Sequence, residues 1–275
     1  MSEGVLLLAV GCLTGVLAGM LGAGGGFATV VLLLAARAEP QVAVGTGLVY
    51  LMVMGGWGTF VHLRLGLADR RLVGAIGVAA AGSALIGAGV AELLGEGLTV
   101  TLGLFTALVS GISLAWPQSR RPLTVPATPA AVTVEGVAAD PAPAEPPPKV
   151  DLGPTQLTSA AVGGGVIGVL KGLFGVGAGF LIVPVMSSTG RLPRPLAVTS
   201  SLFAILVASV AGTVVHAALG NVAWRALLWL IPGGLFGSFV GVRAGRSMSP
   251  AAVRRLSLAV MAASSVYLLA LASSY

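Results

Sequence analysis

The sequence predicts an all-α membrane protein that crosses the bilayer several times and is built from two related halves. Three observations lead to this fold class: a shortage of charge, long uncharged apolar runs, and a glycine pattern that occurs twice. Of the 275 residues, 56% are hydrophobic and 9% are charged, whereas soluble proteins carry about 25% charged residues. So little charge cannot cover a surface that faces water, and lipid is the expected solvent for most of it.

The uncharged runs are long enough to cross a membrane. Val5–Ala36 and Leu196–Val222 contain no Asp, Glu, Lys or Arg, and each exceeds the ~20 residues that a transmembrane helix needs. Each half divides into four apolar segments, which are expected to be helical because lipid cannot satisfy unpaired backbone groups. The segments are roughly 4–36, 41–62, 71–92 and 98–116 in the first half, and roughly 157–189, 196–219, 222–243 and 250–273 in the second.

The two halves repeat one another. The first contains Gly11-x3-Gly15-x3-Gly19-x2-Gly22-x-Gly24-x-Gly26-Phe27, and the second contains Gly164-x3-Gly168-x3-Gly172-x2-Gly175-x-Gly177-x-Gly179-Phe180, which is 153 positions later. Further along, the match resumes at an offset of 154, where His62-x3-Gly66 corresponds to His216-x3-Gly220. Internal duplication is common in secondary transporters and places the substrate site at the interface between the repeats.

A proline-rich stretch separates the halves. Residues 117 to 154 contain ten of the sixteen prolines, with Ala, Thr, Glu and Asp between them. Such a composition neither packs a core nor crosses lipid. We therefore predict a transmembrane repeat at 1–117, a disordered cytoplasmic linker at 118–154, and a second transmembrane repeat at 155–275.

The first segment of each half has an unusual length. About 33 residues would make a helix of ~50 Å, which is too long for one crossing of ~30 Å and too short for two crossings. A break at the glycine cluster would let the segment enter the membrane and leave by the same face. If both first segments are re-entrant in this way, the Lys and Arg residues other than Lys171 divide twelve and two between the two sides.

This uneven division of positive charge follows the positive-inside rule, whereas eight full crossings would divide the same residues seven and seven. In the re-entrant topology each half crosses the membrane three times. The two repeats are then inverted relative to each other, with the linker in the cytoplasm and both termini outside.

The two glycine clusters, called the tips below, are the first candidate site. Such a density of glycine breaks a helix, and broken backbone at membrane depth is tolerated only where it meets protein or a polar cavity. The half-helix after each break would direct free N–H groups, which attract anions, into that cavity. The candidate substrate-binding positions are Gly24, Gly25, Gly26, Gly177 and Gly179. For the outer glycines, close helix packing is an alternative explanation.

Lys171 is the charged residue that lies deep in an apolar segment, where no Asp or Glu is available to pair with it. An unpaired charge at this depth is costly, so a substrate anion is a candidate counter-charge. The alternatives are a lysine that burial leaves uncharged and a lysine that reaches an aqueous vestibule. Hydroxyl groups of Thr46, Thr199, Ser200 and Ser201 are further candidates for an oxyanion site, although such groups often bond to the backbone of their own helix.

His62 and His216 are the two histidines and occupy matching positions at the ends of predicted segments. An anchoring role at the membrane interface is favoured over a proton-linked role. Metal binding is not expected, because inversion would place the two side chains on opposite faces without nearby acidic or cysteine ligands. Catalytic, phosphate-loop and dinucleotide motifs are absent from the sequence, so we expect neither an enzyme nor a cofactor. No basic run is interleaved with aromatic residues, which argues against a nucleic-acid partner.

The duplicated glycine motif, the Val183-Pro184 that follows its second copy, and the two His-x3-Gly motifs resemble the sulfite exporter TauE/SafE family of bacterial membrane permeases. The resemblance covers the chain apart from the linker. One departure is Val31, which stands where the family usually has the proline found here as Pro184. The resemblance implies a multi-pass protein of the bacterial inner membrane that transports small, often sulfur-containing anions such as sulfite or organosulfonates.

The sequence therefore favours a secondary transporter that moves a small anion by alternating access, with membrane lipid as its other partner. No ATP-binding motif is present, so an ion gradient or the substrate gradient would drive transport. A channel-like anion pore and a non-transporting scaffold or assembly factor are the alternatives. The anion, the direction of transport, the coupling ion and the oligomeric state are not determined by the sequence.

Overall fold

The computed structural model describes residues 3–21, 26–64, 70–95, 97–115, 153–175, 194–246, 248 and 250–273. Within these ranges the chain forms helices and no strands. The helices of the first half are α1 (Glu3–Leu21), α2 (Gly26–Ala35), α3 (Pro40–Arg64), α4 (Arg70–Leu94) and α5 (Gly97–Ala115). Those of the second half are α6 (Pro154–Phe174), α7 (Arg194–Ala218), α8 (Trp224–Arg246) and α9 (Pro250–Ala272).

The helices present large apolar side chains on the outside of the bundle. Val78, Leu93, Leu228 and Phe236 are all exposed, and Leu93 is 88% exposed. Among the described residues, Arg71–Leu94 and Gln156–Phe174 are each long and apolar enough to cross a bilayer. An outer surface of this kind is suited to lipid and would be unfavourable in water. The all-α fold predicted from the sequence is therefore confirmed.

The first helix of each half ends where its glycine cluster begins. α1 ends at Leu21 and a separate helix, α2, begins at Gly26. In the second half α6 ends at Phe174, and Gly175 adopts a left-handed conformation (φ 63°) in which its N–H bonds to the Lys171 carbonyl at 2.8 Å. Glycine adopts this conformation without steric cost, which is why it so often follows the last turn of a helix. The remainder of each cluster, 22–25 and 176–179, lies outside the described residues.

The duplication seen in the sequence extends to the helix boundaries. α3 and α7 each have 25 residues, and both ends of α7 lie 154 positions after those of α3. α8 likewise begins 154 positions after α4. The linker falls outside the described residues, except that α6 already begins at Pro154. The three-region division of the chain remains a prediction.

Each half packs its first helix against a helix of the other half. α1 lies along α8, and α6 lies along α4. The facing positions are Gly11 with Leu230 and Gly15 with Gly234 in the first interface, and Gly164 with Ile76 and Gly168 with Ala80 in the second. These pairs correspond to one another at the sequence offsets of 153 and 154. The two interfaces are therefore built in the same register, and in both of them the paired helices run parallel.

Small residues allow these backbones to approach closely. A Cβ atom added to Gly164 would lie 2.7 Å from the Ile76 carbonyl oxygen, and one added to Gly11 would lie 2.9 Å from the Leu230 Cα. Side chains do not fit at such distances, so only glycine permits the observed separation of the helix axes. For these outer glycines the packing explanation is confirmed.

A further contact between the halves joins α3 to its own counterpart, α7. Residues early in α3 face residues late in α7. The facing pairs are Gly45 with His216, Leu48 with Gly212, and Gly55 with Ile205. The two helices therefore run antiparallel where they meet. This pair lies next to the ends of the interrupted first segments, because Gly175 at the end of α6 would contact Val44 of α3 through an added Cβ atom.

Candidate functional site

Lys171 lies in the last turn of α6 and is completely buried. Its Nζ donates a hydrogen bond of 2.8 Å to the hydroxyl of Ser209 on α7, and that hydroxyl donates to the Ile205 carbonyl at 2.7 Å. Ser209 is three positions beyond residue 206, the midpoint of α7 (Arg194–Ala218). Three residues correspond to about 4.5 Å along a helix. The ammonium group is therefore held close to the middle of the helix bundle.

No acidic residue occurs between position 152 and the end of the sequence at 275, so the second half has no carboxylate to offer Lys171. Helix α4 of the first half, which packs against α6, contributes Glu92, but this side chain is exposed and accepts a hydrogen bond of 2.9 Å from Asn221. In the described part of the chain, the hydrogen-bond partner of the lysine is thus a neutral hydroxyl. A buried cation with such a partner has unused capacity to bind an anion.

The corresponding site in the first half lacks both groups. Ala18 corresponds to Lys171 at the offset of 153, and Gly55 corresponds to Ser209 at the offset of 154. At these corresponding positions only the second half has a charged side chain and a hydroxyl. The two tips are not chemically equivalent.

His216 is also completely buried. Its ring contacts Gly172, the residue that follows Lys171. Its Nε2 lies 3.3 Å from the carbonyl oxygen of Gly172, and a carbonyl can only accept, so Nε2 carries the proton. Its Nδ1 has no hydrogen-bond partner among the described residues. The prediction that His216 anchors the chain at the membrane interface is therefore wrong: α7 turns the ring toward the end of α6 and away from the surface.

Two of the predicted hydroxyl groups, those of Thr46 and Ser200, have different surroundings. Thr46 is fully buried, and its Oγ1 accepts a hydrogen bond of 3.0 Å from the N–H of Ala223, immediately before α8 begins. This contact stabilises the start of α8, as a cap does. Ser200, which corresponds to Thr46, is buried, and its Oγ has no partner among the described residues.

For several predicted site residues, either the whole residue or its side chain lies outside the described part of the structure. Gly24, Gly25, Gly177 and Gly179 lie outside the described residues, and Gly26 is the first residue of α2. Thr199 and Ser201 belong to α7 and His62 belongs to α3, but their side chains are not described. Their participation in a site remains a prediction. Within the described ranges, no group of three or more His, Cys, Asp or Glu residues is arranged to bind a metal ion.

Ser209 and Thr213 were not among the residues predicted from the sequence. Both are buried on α7, and Thr213 Oγ1 has no partner in the described part of the chain. Ser209, Thr213 and His216 are spaced four and three residues apart, which places them on one face of the helix. That spacing was visible in the sequence, but a single hydroxyl in an apolar helix is so often bonded to its own backbone that it carries little signal.

Comparison with known proteins agrees with this architecture. The family model for "Sulfite exporter TauE/SafE" matches residues 7–268 of the chain. The chain is 30% identical to the "Probable membrane transporter protein YunE" of Bacillus subtilis over 256 residues, which cover 89% of each protein. It is 28% identical to a "Probable membrane transporter protein" of Xylella fastidiosa over 246 residues, covering 86% of this chain and 83% of that protein.

No solved structure matches the chain. The family model covers nearly the whole sequence, including both glycine motifs and every helix that forms the Lys171 site. The similarity to YunE extends over the same helices. The chain therefore belongs to the sulfite exporter TauE/SafE family and is a multi-pass membrane transporter rather than an enzyme.

Proposed function

We propose that the protein is a secondary transporter that carries a small, sulfur-containing anion, such as sulfite or an organosulfonate, by alternating access. The observation that carries the proposal is Lys171: a fully buried side chain near the middle of the bundle, held by a serine hydroxyl rather than by a carboxylate. A bound oxyanion would supply the missing charge and accept hydrogen bonds from the ammonium. The family description names sulfite export, which agrees with an anion of this kind.

The proposal includes an inverted arrangement of the two halves. Its support is the antiparallel contact between the corresponding helices α3 and α7, because two halves related by rotation about an axis along the helices would bring these helices together in parallel. A second support is the hydrogen bond between Glu92 and Asn221. The re-entrant topology places these two residues, from the end of α4 and the end of α7, on the same external face.

Alternating access would act through the contacts between the halves. The α1–α8 and α4–α6 pairs meet backbone to backbone, so each pair would move as one unit. The α3–α7 contact lies between these pairs and includes Ser209. Rocking of one unit against the other around α3 and α7 would expose Lys171 first to one face and then to the other, as in other transporters with inverted repeats.

The experiment is transport by the purified protein in liposomes. Labelled sulfite, thiosulfate and isethionate (2-hydroxyethanesulfonate) would be compared with phosphate and acetate. Saturable uptake of a sulfur anion, together with counterflow when the liposomes contain the same unlabelled anion, is the expected result. Flux without saturation or counterflow would indicate an anion pore instead. Absence of flux for the whole panel would favour a scaffold or assembly factor and contradict the proposal.

A further inference from the structure

We propose that Lys171 is also the proton-carrying group of the transporter: its amine accepts a proton when the anion binds and releases that proton before the empty carrier returns. The substrate would then cross together with a proton, as one proton per monovalent anion. This inference rests on the proposed function, because it requires a site that alternates between the two faces. It concerns the coupling ion, which neither the sequence nor the relatives identify.

The empty carrier would be costly if Lys171 kept its charge. With an anion bound, the ammonium has a counter-charge and the pair crosses as a neutral unit. Without the anion, a completely buried ammonium would face only the Ser209 hydroxyl among the described residues, and an uncompensated buried charge is strongly unfavourable. Loss of one proton from Nζ leaves a neutral amine, which can still hydrogen-bond to Ser209. The proton leaves to bulk water, so charge and atoms balance over the cycle.

Helix α7 offers a route for that proton. The α7 stripe, defined as Ser209, Thr213 and His216, leads from the lysine toward the end of α7. All three side chains are buried, and Thr213 Oγ1 and His216 Nδ1 have no hydrogen-bond partner among the described residues. Beyond His216 the chain reaches Asn221, which contacts the exposed carboxylate of Glu92. Polar groups therefore lie along the path from the buried amine to the face of the protein that is external in the proposed topology.

Apart from His216, which belongs to the α7 stripe and contacts Gly172 of α6, the other titratable groups around α6 are bonded elsewhere or distant. The helices packed against α6 are α4, α7 and α3. Near the lysine they contribute Glu92, His216 and Tyr50, and the Tyr50 hydroxyl lies 3.2 Å from the Thr14 hydroxyl of α1. The remaining titratable residues of these helices stand at the opposite end of the bundle: Arg70 and Arg71 begin α4, Arg194 begins α7, and His62 and Arg64 lie in the last turn of α3. Lys171 is thus the group placed to exchange its proton with the substrate.

Lys171→Arg separates this role from anion binding, because a guanidinium binds anions but does not release its proton in proteins. The variant should still exchange internal for external anion, a process in which the carrier always crosses loaded. Net uptake into anion-free liposomes requires the empty carrier to return and should fall about tenfold or more relative to exchange. Lys149→Arg makes the same chemical change in the linker and should leave both processes unchanged.

The probes are isethionate and thiosulfate, which remain fully ionised around neutral pH, so any proton movement must come from the protein. A pH-sensitive dye inside the liposomes should report about one proton entering with each isethionate. Thr213→Val, which keeps the side-chain shape, should slow net uptake severalfold and leave exchange unchanged. Thr106→Val is the matched control, because Thr106 is buried on α5 and bonds to the Gly103 carbonyl, away from Lys171.

Net uptake by the parent without proton entry would overturn the proton-carrying role while leaving transport itself intact. Equal net uptake and exchange in Lys171→Arg would also overturn it. If Lys171→Arg loses both processes, the proton count in the parent and the Thr213→Val comparison decide the question. If the parent carries neither probe, the proposed function fails, and the inference fails with it.

Discussion

Thr14 and Tyr50 place their hydroxyl oxygens 3.2 Å apart inside the first half, on the helices that correspond to those carrying Lys171 and Ser209. Both residues are completely buried. At the corresponding positions the second half has Ile167 and Ala204, which are buried and apolar. Among the described residues, each half thus has a buried hydrogen bond between two side chains, from α1 to α3 in the first half and from α6 to α7 in the second, at a different height and with different chemistry. The corresponding helices of the two halves therefore carry different buried polar side chains, and of these Lys171 is the charged one.

Lys171→Met tests the anion-binding role of this charge. Methionine keeps most of the apolar stem and removes the ammonium. We expect the apparent affinity for the transported anion to fall about tenfold or more, which corresponds to ~1.4 kcal/mol or more of a lost charge-assisted contact. Lys171→Glu should be inactive, because it places a negative charge at the anion site. The measurement is the concentration dependence of uptake in proteoliposomes, with thermal stability in detergent as the control for folding.

A purely structural lysine gives a different result in the same series. Methionine would then be relieved of the cost of burying a charged group and would be as active and at least as stable as the parent. Unchanged affinity in Lys171→Met would therefore remove Lys171 from the proposed anion site.

Ser209→Ala tests whether the hydroxyl positions the ammonium. The substitution leaves Lys171 without the hydrogen bond that the structure shows, and the loss of such a bond to a charged group costs about 1.5–3 kcal/mol. We expect weaker anion binding with a smaller effect than Lys171→Met, because the charge remains. Ser159→Ala is the control on α6, since Ser159 bonds only to the Gln156 carbonyl among the contacts described. Equal affinities in the parent and Ser209→Ala would argue against this positioning role.

The two interfaces between the halves should respond alike to the same substitution. Gly168→Ala would press a methyl group against the backbone of α4, where it would lie 2.9 Å from the Ala84 nitrogen, and Gly15→Ala would do the same to α8, 2.8 Å from the Ser238 nitrogen. Each should destabilise the protein by about 1–3 kcal/mol. Gly165→Ala, on the same helix with no atom within 4 Å of the added Cβ, should be neutral or stabilise it by up to about 1 kcal/mol. Thermal unfolding in detergent would measure the stability of the three variants. An equal loss of stability in all three would contradict the role of Gly15 and Gly168 in close helix packing.

The orientation of the halves can be tested by labelling single cysteines from outside intact cells. In a Cys12→Ala background, cysteines introduced at Ser2 and Ser274 should react with an impermeant reagent, and one at Ser119 should react only after the cells are opened. This result follows from the twelve-to-two division of basic residues in the re-entrant topology. Labelling of Ser2 and Ser274 only from the inside would rule out that topology.

The linker should act as a tether and no more. Deletion of residues 124–147 leaves 14 residues between α5 and α6, which can extend to about 45 Å. We expect uptake to remain within about twofold of the parent, because a disordered tether costs little to shorten while its ends still reach. A deletion variant that inserts normally but does not transport would show that the linker has a further function.

The sequence by itself determined the membrane class, the duplication and the positions where the first segments break. Charge is so sparse, and the glycine spacing so faithfully repeated, that these properties do not depend on how the helices are arranged. The sequence also singled out Lys171, because a charge in an apolar helix is conspicuous wherever that helix packs.

Only the tertiary structure decided what surrounds Lys171. Whether Ser209, Thr213 and His216 face lipid or face α6 depends on the rotation of α7 about its axis, and that rotation is fixed by contacts with α3, α4 and α6 rather than by any local pattern. For the same reason His216 could be taken for a surface anchor from its position near a helix end, although packing against Gly172 buries it completely. Packing between the halves determines which groups surround a buried polar side chain. The sequence of a single helix does not contain that information.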